Sequence, residues 1–348
     1  MGRNRRSEAV SRTARTGLIV LTAVILAGVA LWMARRPGPS TGPMDTIVLG
    51  AETIPFSAPV WVAEHNGYFR EEGVEVEIRG FDSGRTALFT MVEQGGLDLV
   101  TAAQTPVISK SFGRSDYAIV AGMVYSDKDV KLLARRDRGI TSPQDLKGKT
   151  VGITRGSSGH FFLGLFLAYH QLQLSDVRTV DLEPTRLGGA LIEGQVDAVA
   201  TWEPHIYRAR KALGDKAALL PSSNIYREDF YFIARKEFIS RHPVALERFL
   251  RAIEKAQQFI RKRRAETLDI VQRRLQMDSE VLRATWDQFQ FGSFLDQAIL
   301  ESLEDEARWA IENKLTEAAR VPNYLDYLHT ETLLAVKPEA VTIAGRKR

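Results

Sequence analysis

Two hydrophobic periods alternate along residues 46–235, and their order predicts the fold. Thr46-Ile47-Val48-Leu49 is a short apolar run that reads as a buried strand. A helix over about 58–65 follows, with Asn66-Gly67 as its C-cap. Val74-Glu75-Val76-Glu77-Ile78 alternates strictly, which predicts a strand with one wet face. Asp82-Ser83-Gly84 opens a helix over 85–94, Gly95-Gly96 closes it, and 97–102 is the next strand.

The same order returns later. A strand at 150–154 leads through the polar loop Arg155-Gly156-Ser157-Ser158-Gly159 into an apolar helix over about 160–170. A strand near 179–182, a short helix and the run Gly194 to Pro204 complete the second set. Gly96-Leu97-Asp98-Leu99-Val100 and Gln195-Val196-Asp197-Ala198-Val199 hold matching places in the two halves. Two similar α/β lobes with largely parallel sheets follow, and such sheets bind ligands outside the carboxyl ends of their strands. Residues 130–135 and 230–235 are also alike and bracket one lobe, as a two-strand hinge requires. Beyond them, Leu246, Phe249, Leu250, Ile253 and Ile260 form a helical packing stripe, and Leu300, Leu303, Ala307, Ala310 and Ile311 another. The predicted organisation is lobe 1 over 46–135, lobe 2 over 136–235, and a helical part, 236–348, returning to lobe 1.

The amino end differs. Residues 17–34 are uncharged and as a helix would span roughly 27 Å, close to a bilayer's hydrocarbon core. Five arginines precede the stretch and two follow, which places residues 1–16 in the cytoplasm and the body outside. We read 17–34 as a retained signal anchor and 35–45 as a Pro/Gly-rich tether; a cleaved signal peptide, with Gly28-Val29-Ala30 as its cut site, is the other reading.

Charge and composition exclude several functions. The formal net charge is +4, but residues 1–44 hold seven arginines and one glutamate. The remaining 40 basic and 42 acidic side chains leave −2, so no basic excess suited to nucleic acid sits on the folded body. Cysteine is absent, which excludes disulfides, thiolate nucleophiles, cysteine metal sites and cysteine-borne lipid. Six histidines lack metal-ligand spacing, and neither a metal nor another cofactor is expected. Gly148-Lys149-Thr150 imitates the end of a P-loop but precedes a strand, and Gly156-Ser157-Ser158-Gly159 is one residue short of a nucleophile elbow.

What remains is ligand binding. Ser157, Ser158 and Gly159 put free N–H groups and two hydroxyls at a helix start, a corner suited to anionic or strongly polar groups; capping the helix is the bland role for the serines. Trp202 either stacks on a ligand or fills the core, and Glu203 either receives a ligand ammonium or N–H or pairs with a local arginine. Gln104 and Thr105 are their positional equivalents in lobe 1, where Phe56, Ser57, Ser83 and Arg85 lie in neighbouring loops. An acid beside an anion-friendly corner points to a zwitterion or an amine-bearing solute.

Several segments together resemble the nitrate/sulfonate/taurine family of ABC-transporter substrate-binding proteins, whose superfamily includes binders of thiamine-pyrimidine precursors. They are 59–73 (PVWVAEHNGYFREEG), 145–156 (DLKGKTVGITRG), 194–204 (GQVDAVATWEP), 321–327 (VPNYLDY) and 337–341 (KPEAV), in the expected order. The resemblance implies a two-lobed, type II periplasmic-binding-protein fold that closes on a hinge. It also implies a monomer that delivers a small polar solute to an inner-membrane permease with its ATPase, with 157–159 and 202–203 lining the pocket. The family's lipidation cysteine is missing here, which favours the membrane tether. No enzymatic activity is implied; a cysteine-dependent pyrimidine synthase of the superfamily has no counterpart in a chain without cysteine.

Overall fold

A computed structural model describes residues 44–222 and 225–343. The expected anchor at 17–34 and nearly all of the tether lie outside the described residues. Among the described residues, no helix is long and apolar enough to cross a membrane.

Lobe 1 opens with β1 (Asp45–Glu52), α1 (Ala58–Asn66), β2 (Val74–Phe81), α2 (Gly84–Glu93), β3 (Leu99–Ala103), α3 (Gln104–Ser111) and β4 (Tyr117–Ser126). Lobe 2 holds β5 (Lys131–Arg135), β6 (Thr150–Ile153), α4 (Ser158–Tyr169), β7 (Arg178–Asp181), α5 (Pro184–Ile192), β8 (Ala198–Thr201), α6 (His205–Leu213) and β9 (Ala217–Leu219). The chain then returns to lobe 1 with β10 (Glu228–Arg235), α7 (Pro243–Lys262), β11 (Gln290–Phe294) and α8 (Gln297–Glu312). The sheet orders are β11-β4-β10-β3-β1-β2 and β7-β6-β8-β5-β9.

Both sheets are mixed. In the first, β2, β1, β3 and β4 share a direction while β10 and β11 run against it; in the second only β5 is reversed. The reversed strands include the two that follow a passage between lobes, which explains why βα repetition alone suggested parallel sheets.

The segments read as hinge strands are sheet members. Residues 131–135 form β5 of the second sheet, and 230–235 lie in β10, the strand between β3 and β4. The chain therefore crosses between sheets at about 127–130 and 220–227, and the lobe boundaries fall several residues before 135 and 235. Apolarity explains the misplacement: Leu132, Leu133 and Ala134, like Phe230 to Ala234, are buried in the sheet interiors.

Local chemistry sets most element ends. Gly67 closes α1 with φ 72°, a left-handed conformation that a glycine adopts without a Cβ penalty. Ser83 caps α2 by accepting from the Thr86 N–H at 3.2 Å. The stripe on α7 is buried against lobe 1, and most of that on α8 is too. The run 261–264 is exposed, as a solvated helix end should be.

Candidate functional site

The strands sharing the common direction in each sheet end at the face where the passages cross. Lobe 1 brings Glu52, Gln104, Asp129 and the start of β10 to this boundary; lobe 2 brings the loop 154–158, Trp202, Glu203 and Lys131. The α8 helix closes one side. Its Trp309 packs edge-on against His160 and Phe161 of α4, at centroid distances of 5.1 and 5.2 Å. Between the lobes lies a cavity of about 110 Å³, with Thr105, Glu306 and Trp309 on one wall and Gly156 and Ser157 on the other.

The helices fit the sheets closely because two glycines permit it. A Cβ at Gly159 would lie 2.5 Å from the Ala200 carbonyl oxygen, and one at Gly84 would lie 2.6 Å from the Ala102 Cα. Each glycine stands in the first turn of a helix packed on a strand end, so the two lobes repeat one device.

The expected site residues divide. Ser157 and Thr105 line the cavity, and the Thr105 Oγ1 has no partner. The Ser157 hydroxyl donates to the Thr154 carbonyl at 2.6 Å, so it does not cap α4 with its side chain. Ser158 is buried, with its hydroxyl facing the Glu228 carboxyl. Trp202 is half-buried, packed against the lobe 2 core and 6.0 Å from the His205 ring.

Others serve the fold. Both Glu203 oxygens are engaged: Oε1 with Lys131 Nζ at 2.6 Å, and Oε2 with the Tyr207 N–H at 2.9 Å in the first turn of α6. Gln104 is fully buried, donating to Glu306 Oε2 at 3.1 Å and accepting from the Asp229 N–H at 3.0 Å. Phe56 fills the core against Phe230 and Phe289, at centroid distances of 3.9 and 4.5 Å. Ser57 is fully buried with Oγ 3.3 Å from Thr101 Oγ1, Ser83 is a helix cap, and Arg85 is exposed with its guanidinium over Phe89. His160 is buried, and burial pushes its pKa down to about 4.

Sequence reasoning missed the carboxyls. Burial pushes Glu52 up to about 8, with the Gly84 N–H opposing and Asp129 adding to it. Asp129 rises to about 7 for the same reason, with Lys131 opposing and Glu203 adding. Glu228 is pushed well up by burial and by Asp129, and Glu306 rises to about 7 by burial, opposed by the neighbouring Thr105 hydroxyl and by the Gln104 hydrogen bond. Glu52, Asp129 and Glu228 each stand at or just past a strand terminus, so position relative to the strands was the one signal that could have marked them.

The comparisons agree with this architecture. The NMT1/THI5 like family matches residues 54–267. A Bacillus subtilis protein named as an aliphatic sulfonates-binding protein is 27% identical over 274 residues, covering 77% of this chain and 81% of that one. The taurine-binding periplasmic protein of Escherichia coli is 25% identical over 218 residues, covering 58% and 62%. The crystal structure of the periplasmic aliphatic sulphonate binding protein of Escherichia coli superposes with a TM-score of 0.70 at 18% identity, over 82% of this chain and 98% of that one. Two lobes joined by two passages, with helix starts and strand ends meeting at a common face, are thus the periplasmic-binding-protein fold, and the chain belongs to the NMT1/THI5 like family.

Proposed function

We propose that this protein captures a small polar solute between its lobes and hands it, chemically unchanged, to an ABC importer. The cavity at the lobe boundary carries the reading, because Thr105 and Glu306 of one lobe and Ser157 of the other share it. A site built from both halves binds more tightly when they close, so solute capture and lobe closure are one equilibrium. The names of the relatives point to solutes of the sulfonate and taurine type, and within this reading the partner is an inner-membrane permease with its ATPase.

Within this reading Ser157, Ser158, Gly159, Thr105 and Trp202 contact the solute, while Glu203 and Gln104 hold the walls. Residues 17–34 tether the body to the outer face of the inner membrane, and the tethered protein works as a monomer.

Mass spectrometry of solutes that co-purify with the full chain, followed by a thermal-shift panel of sulfonates, nitrate, taurine and pyrimidines, tests the proposal. A bound solute raises apparent stability by mass action. Turnover of a binding solute, or X-ray scattering that is unchanged by a tight binder, would sink it.

A further inference from the structure

The boundary between the sheets is acidic. Glu52, Asp129, Glu203, Glu228 and Glu306 are all buried there. Lys131 is the lysine among them, and its ammonium is already held by Glu203 and by Gln288 Oε1 at 2.6 Å each. At the α2 start the Gly84 N–H faces Glu52, and at the α4 start the Ser158 hydroxyl faces Glu228. The protein's own Glu52 thus occupies the α2 start that an oxyanion would otherwise use.

The cavity wall adds a separate observation. Glu306 is 2% exposed; its Oε2 accepts from Gln104, while its Oε1 has no partner, and neither does Thr105 Oγ1 on the same wall. Asp129 Oδ2 and Glu228 Oε2 are also unpartnered, but these carboxyls face each other and can share a proton. Glu306 lies apart from that pair and opens onto about 110 Å³, room for several water-sized groups. An ionised carboxylate only accepts hydrogen bonds, so the group that satisfies it must be a donor.

We infer that the captured solute carries a protonated nitrogen, as an amine or amidine, seated on Glu306 Oε1 with Thr105 Oγ1 as its second acceptor. This rests on the proposed role of the cleft as the solute site. A cation there also offsets the cost of ionising a carboxyl that burial pushes up to about 7.

Calorimetry on the full chain tests the inference with matched solutes that differ in a basic nitrogen. The pairs are 2-aminoethanol with ethylene glycol, taurine with ethanesulfonate, and benzylamine with benzyl alcohol. The amine-bearing member should bind about tenfold tighter or more in at least one pair, and more weakly in none. Glu306→Gln should reduce that preference to within about threefold. Thr105→Val, a smaller perturbation, should weaken amine binding while the unliganded melting temperature stays near that of the parent protein.

The inference is overturned by equal binding within every pair, tighter binding of a nitrogen-free member, or no binding by all six probes. It is overturned equally if the preference survives in folded Glu306→Gln and Thr105→Val proteins. A nitrogen-free solute that binds and closes the lobes would remove the inference and leave the receptor role standing. The role itself fails if no solute of any charge binds.

Discussion

Lys131 Nζ lies 2.6 Å from Glu203 Oε1, joining the first residue of β5 to the turn after its neighbouring strand β8. Both side chains are largely shielded, 12% and 6% exposed. The lysine also reaches Gln288 of lobe 1, so one ammonium ties the second sheet to the first.

Removing the cation should therefore cost more than a surface ion pair would. Lys131→Met leaves a buried carboxylate without its partner and should destabilise by about 3 kcal/mol. Lys131→Met combined with Glu203→Gln should cost less than the two single changes summed. Urea midpoints across this double-mutant cycle check the coupling; strict additivity would show that the pair contributes nothing of its own.

Stability should fall as pH rises through the weakly acidic range. Glu52 holds its proton up to about pH 8 when folded but only to its ordinary 4.5 when unfolded. Its contribution is complete below 4.5 and is lost between 4.5 and 8, where the unfolded chain gives up the proton first. Glu306 acts in the same sense up to about 7. His160 works at the acid side: held neutral in the fold down to about 4, it costs stability as pH drops below 6.5. Glu52→Gln should match the parent protein near pH 4.5 and exceed it by on the order of 2 kcal/mol at pH 8, read from urea melts.

Three glycine substitutions should separate close approach from chain flexibility. Gly159→Ala and Gly84→Ala push a methyl into Ala200 and Ala102, and each should cost about 1–3 kcal/mol. Gly189→Ala, on a face of α5 where nothing lies within 4 Å, should instead gain about 0.5–1 kcal/mol. Thermal denaturation of the three proteins decides, and a stable Gly159→Ala protein would refute the account of how α4 sits on β8.

The fold was largely legible in the sequence, since periodicity and turn residues located strands and helices to within a few residues. Gly67, Ser83 and the repeat of Gly96–Val100 at 195–199 act through local backbone chemistry, which a sequence displays directly. Which sheet a strand joins depends on distant partners, so β5 and β10 were placed in the wrong roles. The site was less legible for a related reason. The partners of Glu203 and Gln104 are not visible in the sequence because Lys131 and Glu306 lie 72 and 202 residues away. Glu306 itself sits on a helix whose apolar stripe gives no hint that one acid faces inward.

Trp202 and Phe56 offer a direct contrast between binding and packing. Trp202→Ala should weaken solute binding about tenfold or more with a small loss of stability. Phe56→Ala should cost about 3–5 kcal/mol of stability, because that ring is enclosed by Phe230 and Phe289. Calorimetric titration paired with urea melts separates the effects, and a strongly destabilised Trp202→Ala protein would move that indole from binding to core.

The position of β10 has a consequence for biosynthesis. β3 and β4 of the first sheet are not neighbours; the strand between them is made only after all of lobe 2 has been translated. Lobe 2, in contrast, takes its strands from one unbroken stretch, 131–219. As the chain emerges, the second-encoded half can assemble first, while the first-encoded half waits with two open edges for residues 228–235 to arrive and zip between them.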